Sequence, residues 1–168
     1  QLVSVADINS GLLVYTPAAN ATADASFTFQ VQDDGGTANG GVDLDQSPNT
    51  LTIDITPVND APSGADNTVT TLEDTAKTLA AADFGFSDAA DSPANALAAV
   101  KITTLPASGS LTLNGVAVTA GQLVSVADIN SGLLVYTPAA NATADASFTF
   151  QVQDDGGTAN GGVDLDQS

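Results

Sequence analysis

Cysteine is absent from the 168 residues, and so are histidine, arginine, tryptophan and methionine. Without cysteine there is no disulfide, no thiolate metal site and no thiol nucleophile. Without histidine as well, acid–base work would fall to carboxylates, and none stands beside a recognisable nucleophile. A paired-carboxylate glycosidase would need an aromatic-lined cleft, whereas the six Phe and two Tyr fall largely on strand-like stretches. The sequence reads as no enzyme. Positive charge is nearly missing too: Lys77 and Lys101 face 20 acids, for a net charge of −18. Such a surface repels nucleic acid and anionic headgroups. No apolar run is long enough for a membrane span and no signal peptide opens the chain, so neither nucleic acid binding nor membrane insertion is expected.

The acidity that remains suits divalent cations and salty water, where self-repulsion is screened. With 43% hydrophobic but only 5% aromatic residues, the core should be Val, Leu, Ile and Ala with a few Phe anchors. A domain outside the cell that has no disulfide needs another staple, and bound Ca²⁺ can be one.

Residues 1–47 and 122–168 are letter-for-letter identical, at an offset of 121. That period is too long for a solenoid unit and has the length of a domain. Identity implies recent duplication, so the chain reads as part of an array of near-identical domains whose partners are neighbouring identical repeats. The proline-bracketed stretch Thr56-Pro57-Val58-Asn59-Asp60-Ala61-Pro62 is the joint. Residues 1–62 are then the C-terminal half of one repeat ending in linker 56–62. Residues 63–168 are the following repeat without its last strand, the equivalent of residues 49–56. A free strand and an open groove of matching sequence predict intermolecular strand exchange.

Down one unit, residues 68–72 and 76–79 read as strands around a Glu73-Asp74-Thr75 turn. Residues 80–84 read as a helical turn stopped by Gly85, and 97–105 as a strand. Alternation around Asn114-Gly115 predicts a type I′ hairpin of 110–113 with 116–119. Ser125 is an N-cap and Gly132 a stop for a short helical turn. Residues 133–137 and 148–152 follow as strands, the second strictly alternating. Tyr136 and Tyr15 are read as structural, bonding across a sandwich corner. Asp154-Asp155-Gly156-Gly157, with Asp164 and Asp166 beyond, reads as a Gly/Asp turn, with a second cation site as the alternative. The whole is all-β: an Ig-like, antiparallel β-sandwich repeat with short helical turns.

In such a sandwich, loops alternate between two poles. Glu73, Asp74 and Asp145 then sit where the chain leaves the domain. Asp88, Asp91, Asp154 and Asp155 sit where the previous domain arrives, with Asn59 and Asp60 between successive domains. Crowded carboxylates repel; a cation resolves the conflict, and oxygen-only ligands select a hard one, Ca²⁺ before Mg²⁺.

The unit resembles cadherin-like repeats, and among them the tandem repeats of large bacterial surface adhesins exported by type I secretion. The resemblance rests on Val58-Asn59-Asp60-Ala61-Pro62, Leu72-Glu73-Asp74-Thr75, Phe86-Ser87-Asp88, Leu134-Val135-Tyr136-Thr137-Pro138 and the run from Phe148 to Gly156. It implies that Asn59, Asp60, Glu73, Asp88, Asp91 and Asp154 or Asp155 ligate interdomain calcium. Thr56 and Val58 stand where cadherin linkers offer an acid and an amide, and the mid-domain acid motif is reduced to Asp145 (Asp24 in the first copy). The expected function is a structural extender on a bacterial cell surface, a rod stiffened by calcium. The alternatives are a glycan- or protein-binding adhesion module and a strand-exchanging fibre subunit.

Overall fold

The computed structural model describes residues 1–168 and divides them into two compact units, Gln1–Pro57 and Val58–Ser168. Val58 to Pro62, part of the linker read from sequence, packs with the second unit.

The first unit holds helix α1 (Val5–Asn9) and the strands β1 (Ala25–Phe29) and β2 (Asn49–Ile53). β1 and β2 pair antiparallel in the register Ala25↔Ile53, Phe27↔Leu51, Phe29↔Asn49. No residue of this unit is fully buried.

The second unit carries β3 (Lys77–Thr78), β4 (Leu97–Ile102), β5 (Ser110–Leu113), β6 (Val116–Ala117), β7 (Leu123–Ser125), α2 (Val126–Asn130), β8 (Leu134–Thr137) and β9 (Phe150–Asp154). They form two sheets, ordered β3-β8-β5-β6 and β7-β4-β9, and every pairing is antiparallel. Leu111 and Leu134 from one sheet and Val100, Ile102, Val124 and Val152 from the other share one core with Leu79, Phe84, Val118 and Ile129. Phe84 meets Phe150 edge-on at 5.0 Å. This is the expected sandwich: aliphatic, with a few Phe anchors.

Local signals are honoured. Asn114 and Gly115 both take positive φ, 50° and 77°, as a type I′ turn requires. Ser125 caps α2, its hydroxyl accepting the Asp128 amide at 3.1 Å. Ala81–Phe84 is a 3-10 turn ended by Gly85 in the left-handed region. The Tyr136 hydroxyl donates to the Ser108 carbonyl at 3.0 Å, the corner bond expected of it.

Elsewhere the strands differ from the sequence reading. Residues 68–72 are not a strand; only Lys77–Thr78 of 76–79 is; the 97–105 strand stops at Ile102; and the 148–152 strand begins at Phe150 and runs on to Asp154. β-branched composition marks a chain that fits a half-buried pleated surface, but pairing requires a neighbour. Residues 68–72 and 146–148 line a common groove.

Candidate metal centre

The segment entering the second unit runs beside the loop after the 3-10 turn and beside the end of β9. Val163 donates its amide to the Asn59 carbonyl, and Ser63 exchanges two backbone bonds with Ser87. These pairings place Asn59 and Asp60 against two acids, Asp154 and Asp91, with Asp88 reached through Asn95. Asn59 Nδ2 donates to Asp154 Oδ1 at 3.1 Å and to the Val163 carbonyl at 2.8 Å. The Asp60 amide donates to Asp91 Oδ2 at 3.0 Å. Asp88 Oδ2 accepts the Asn95 amide, and Asn95 Nδ2 donates to Asn59 Oδ1. Asp155 stands at the rim, exposed, with its Oδ1 accepting the Ala96 amide at 2.8 Å.

Two of these acids are out of water: Asp88 is 6% exposed and Asp154 2%. One oxygen of each, Asp88 Oδ1 and Asp154 Oδ2, has no hydrogen-bond partner. An unsatisfied buried carboxylate oxygen is costly. Burial pushes the Asp154 carboxyl above the usual carboxylate range, and the charges of Asp88 and Asp164 add to the push. Bonds from the Gly156 amide and the Asn59 side chain oppose it.

Glu73, Asp74 and Asp145 lie elsewhere in the unit. All three are exposed. Asp74 Oδ1 accepts the Asn141 amide at 2.9 Å, while Glu73 and Asp145 line the groove noted above. The site residues read from sequence thus fall into two groups. Asn59, Asp60, Asp88, Asp91, Asp154 and Asp155 come together; Glu73, Asp74 and Asp145 do not join them. No three carboxylates are gathered closely enough to form a metal cluster by themselves. The donors on hand are two buried carboxylates backed by amide groups.

Two neighbours were not read as site residues. Asn95 closes the acidic loop, and its place at the end of the run Asp88, Asp91, Asn95 was the available signal. Gly156 read only as a turn glycine. A Cβ there would collide with the side-chain amides of Asn59 and Asn95, so the bare backbone is what lets those two amides bond each other while Asn59 reaches Asp154.

Asp164 and Asp166 lie on a segment that pairs back against β9. Asp154 and Asp164 share a backbone bond, and Asp166 accepts the Gly64 amide at 2.9 Å and the Ser168 hydroxyl at 2.7 Å. Burial works to raise the Asp166 carboxyl, but bonds from Ser168 and Gly64 outweigh it and hold it below the usual range.

An oxygen-only donor set with bare, buried carboxylate oxygens fits a hard divalent cation. Comparison with known proteins agrees with the architecture. Residues 62–162 match the model of the cadherin-like family, more than half of the chain, and the chain belongs to that family. Residues 2–45 match a bacterial Ig domain. Since residues 123–162 repeat 2–41 letter for letter, one stretch satisfies both patterns, as an Ig-like sandwich should. No curated protein and no solved structure matches the chain. Modules of both kinds are typically structural rather than catalytic, of the surface-associated extender or adhesion type, and cadherin-like domains generally bind calcium. No helix here is long and apolar enough to cross a membrane.

Proposed function

We propose that the chain is an extender repeat of a bacterial cell-surface adhesin, stiffened by calcium where the chain enters each cadherin-like unit. The observation that carries the reading is the pair of bare, buried carboxylate oxygens on Asp88 and Asp154, set beside Asn59 and Asp60 of the incoming segment. Two buried like charges without counter-charge are self-destabilising. A divalent cation held by Asp88 and Asp154, with Asn59, Asp60 and Asp91 in support, would remove that penalty. It would also tie the incoming segment to the sandwich and so damp motion about the joint at 56–62. Glu73, Asp74 and Asp145 would serve the other pole, towards the next repeat. Outside the cell, calcium would take the stabilising part that disulfides take in cysteine-bearing domains.

A cation that binds only the folded state adds stability by mass action, about 2.7 kcal/mol at ~100 times its dissociation constant. Calorimetric melting with Ca²⁺ and with EDTA tests this. The second unit's transition should rise by several degrees in Ca²⁺, and Asp88→Asn should abolish the rise. An identical melting curve in chelator would end the calcium reading while leaving the extender role open.

A further inference from the structure

We propose, resting on the calcium reading above, that Asn95 is the positioning residue of the cation site and acts through Asn59 to hold the bare oxygen of Asp154 in place. Asn95 closes the loop that begins at Asp88, just before β4, and is partly buried. It touches three parts of the site. Its backbone amide bonds Asp88 Oδ2, its side-chain nitrogen bonds Asn59 Oδ1, and the same nitrogen lies 3.4 Å from Asp91 Oδ2.

These bonds run in one direction. A side-chain amide nitrogen only donates and its oxygen only accepts. Asn59 commits its nitrogen to two acceptors, the Val163 carbonyl at 2.8 Å and Asp154 Oδ1 at 3.1 Å. Its oxygen then needs a donor, and the Asn95 nitrogen supplies it. Asn95→Asp would set one acceptor against another, so the run Asp88, Asp91, Asn95 ends in an amide for a physical reason. At the far end of the relay, Asp154 Oδ1 also accepts the Gly156 amide at 2.8 Å.

The relay decides which oxygen each acid offers. Asp154 gives Oδ1 to the amides and leaves Oδ2 bare; Asp88 gives Oδ2 to the Asn95 backbone and leaves Oδ1 bare. Each buried acid thus has a single oxygen to offer a cation, and Ca²⁺ would draw the rest of its ~6–8 ligand oxygens from elsewhere. Without the Asn95 side chain, Asn59 is free to turn and Asp154 loses a donor that fixes its carboxylate. Removing a partner that orients a ligand in this way typically weakens metal binding about 10–100-fold.

Calorimetric titration of the whole chain with Ca²⁺ tests this, the site being defined as the binding that Asp88→Asn abolishes. Asn95→Leu matches the amide in size but donates nothing, and should weaken that binding about tenfold with the circular dichroism of the sandwich retained. Asn95→Ala, which crowds the loop less, repeats the test. Asn59→Ala should weaken binding too, and adding Asn95→Leu to it should cost nothing further, because Asn95 acts through Asn59. A purely structural Asn95 would instead lower the melting temperature equally in Ca²⁺ and in EDTA and leave the affinity untouched. Unchanged affinity in both Asn95 variants, or losses that add in the double variant, overturns the positioning role while the calcium reading stands. A parent chain that takes up no calcium overturns both, so the parent's own titration tells the two failures apart.

Discussion

Asp154 is the residue at which the fold and the acidity of this protein conflict. One of its oxygens is bonded by Asn59 and Gly156 and the other is bare, in a site 2% exposed. Asp154→Asn should preserve the accepting oxygen and delete the charge. In chelator the variant is expected to equal or exceed the parent, because a buried charge facing Asp88 is removed although the new Nδ2 is as unpartnered as the oxygen it replaces; in Ca²⁺ it should lose the calcium increment. Paired denaturation curves in the two buffers check both signs. The pH dependence follows from the same group. Its folded pKa is raised, by burial first and by Asp88 and Asp164 next, so just above the ordinary carboxylate value the native state binds more protons than the unfolded one. Stability of the calcium-free protein should therefore rise as pH falls from neutrality through the raised folded value. Asp166 acts oppositely: its lowered pKa contributes stability that is lost as pH falls below roughly 4, the ordinary Asp value. A melting-temperature maximum in mildly acid chelator, flattened by Asp154→Asn, is the expected profile. Charge and spacing made Asp88, Asp91 and Asp154 legible in the sequence. Gly156 was not, because its importance is steric and appears only once Asn59 and Asn95 close against its backbone; Asn95 carried a signal, its place in the acidic run, but its role is a hydrogen bond that only the fold creates.

At the level of elements, the duplicated sequence separates what is local from what is not. The helical turn forms in both copies, capped by Ser4 and by Ser125, and the 3-10 turns Ala38–Gly40 and Ala159–Gly161 also recur. Strands do not. The residues of β8 have a strand partner on each side in the second unit, while their twins, 13–16, are in no strand. β1 occupies the positions just before those of β9, because β2 is its partner rather than β4. Caps, turns and the Asn-Gly hairpin were readable in advance since a few neighbouring residues decide them; residues 68–72 misled because strand propensity names a candidate and not a pairing. Two substitutions probe the local class. Gly115→Ala meets no atom within 4 Å, so its cost should be purely conformational, about 1–2 kcal/mol for a left-handed backbone. Ser125→Ala should cost about 1 kcal/mol through the lost cap. Both are measured by urea unfolding of the second unit's transition, and a neutral Gly115→Ala would contradict the I′ turn.

Across the whole molecule, one net property and one asymmetry set behaviour. The net charge of −18 means that compaction works against self-repulsion, so NaCl in the presence of EDTA should raise the melting temperature gradually. A calcium effect must exceed that of NaCl at matched ionic strength. The asymmetry lies in the unequal burial of identical sequence. Ile129, Leu134 and Val152 are 2%, 0% and 0% exposed, while their twins Ile8, Leu13 and Val31 are 49%, 55% and 61%. Full burial of each such side chain stabilises by roughly 1.5–3 kcal/mol, so the first unit lacks several kcal/mol of core that the second possesses. Amide exchange tracks such differences, since exposed segments open at far lower free energy than core strands. Peptic peptides from residues 1–47 have the same sequences as those from 122–168, so mass spectrometry reads both copies in one isotopic envelope. During deuteration that envelope should split into two populations of equal abundance. The fast one comes from the first unit and the slow one from the second, with the widest gap in peptides covering Val31 and Val152. A single population moving together would mean that the two copies are equally protected, and that burial in this chain follows its sequence rather than its neighbours.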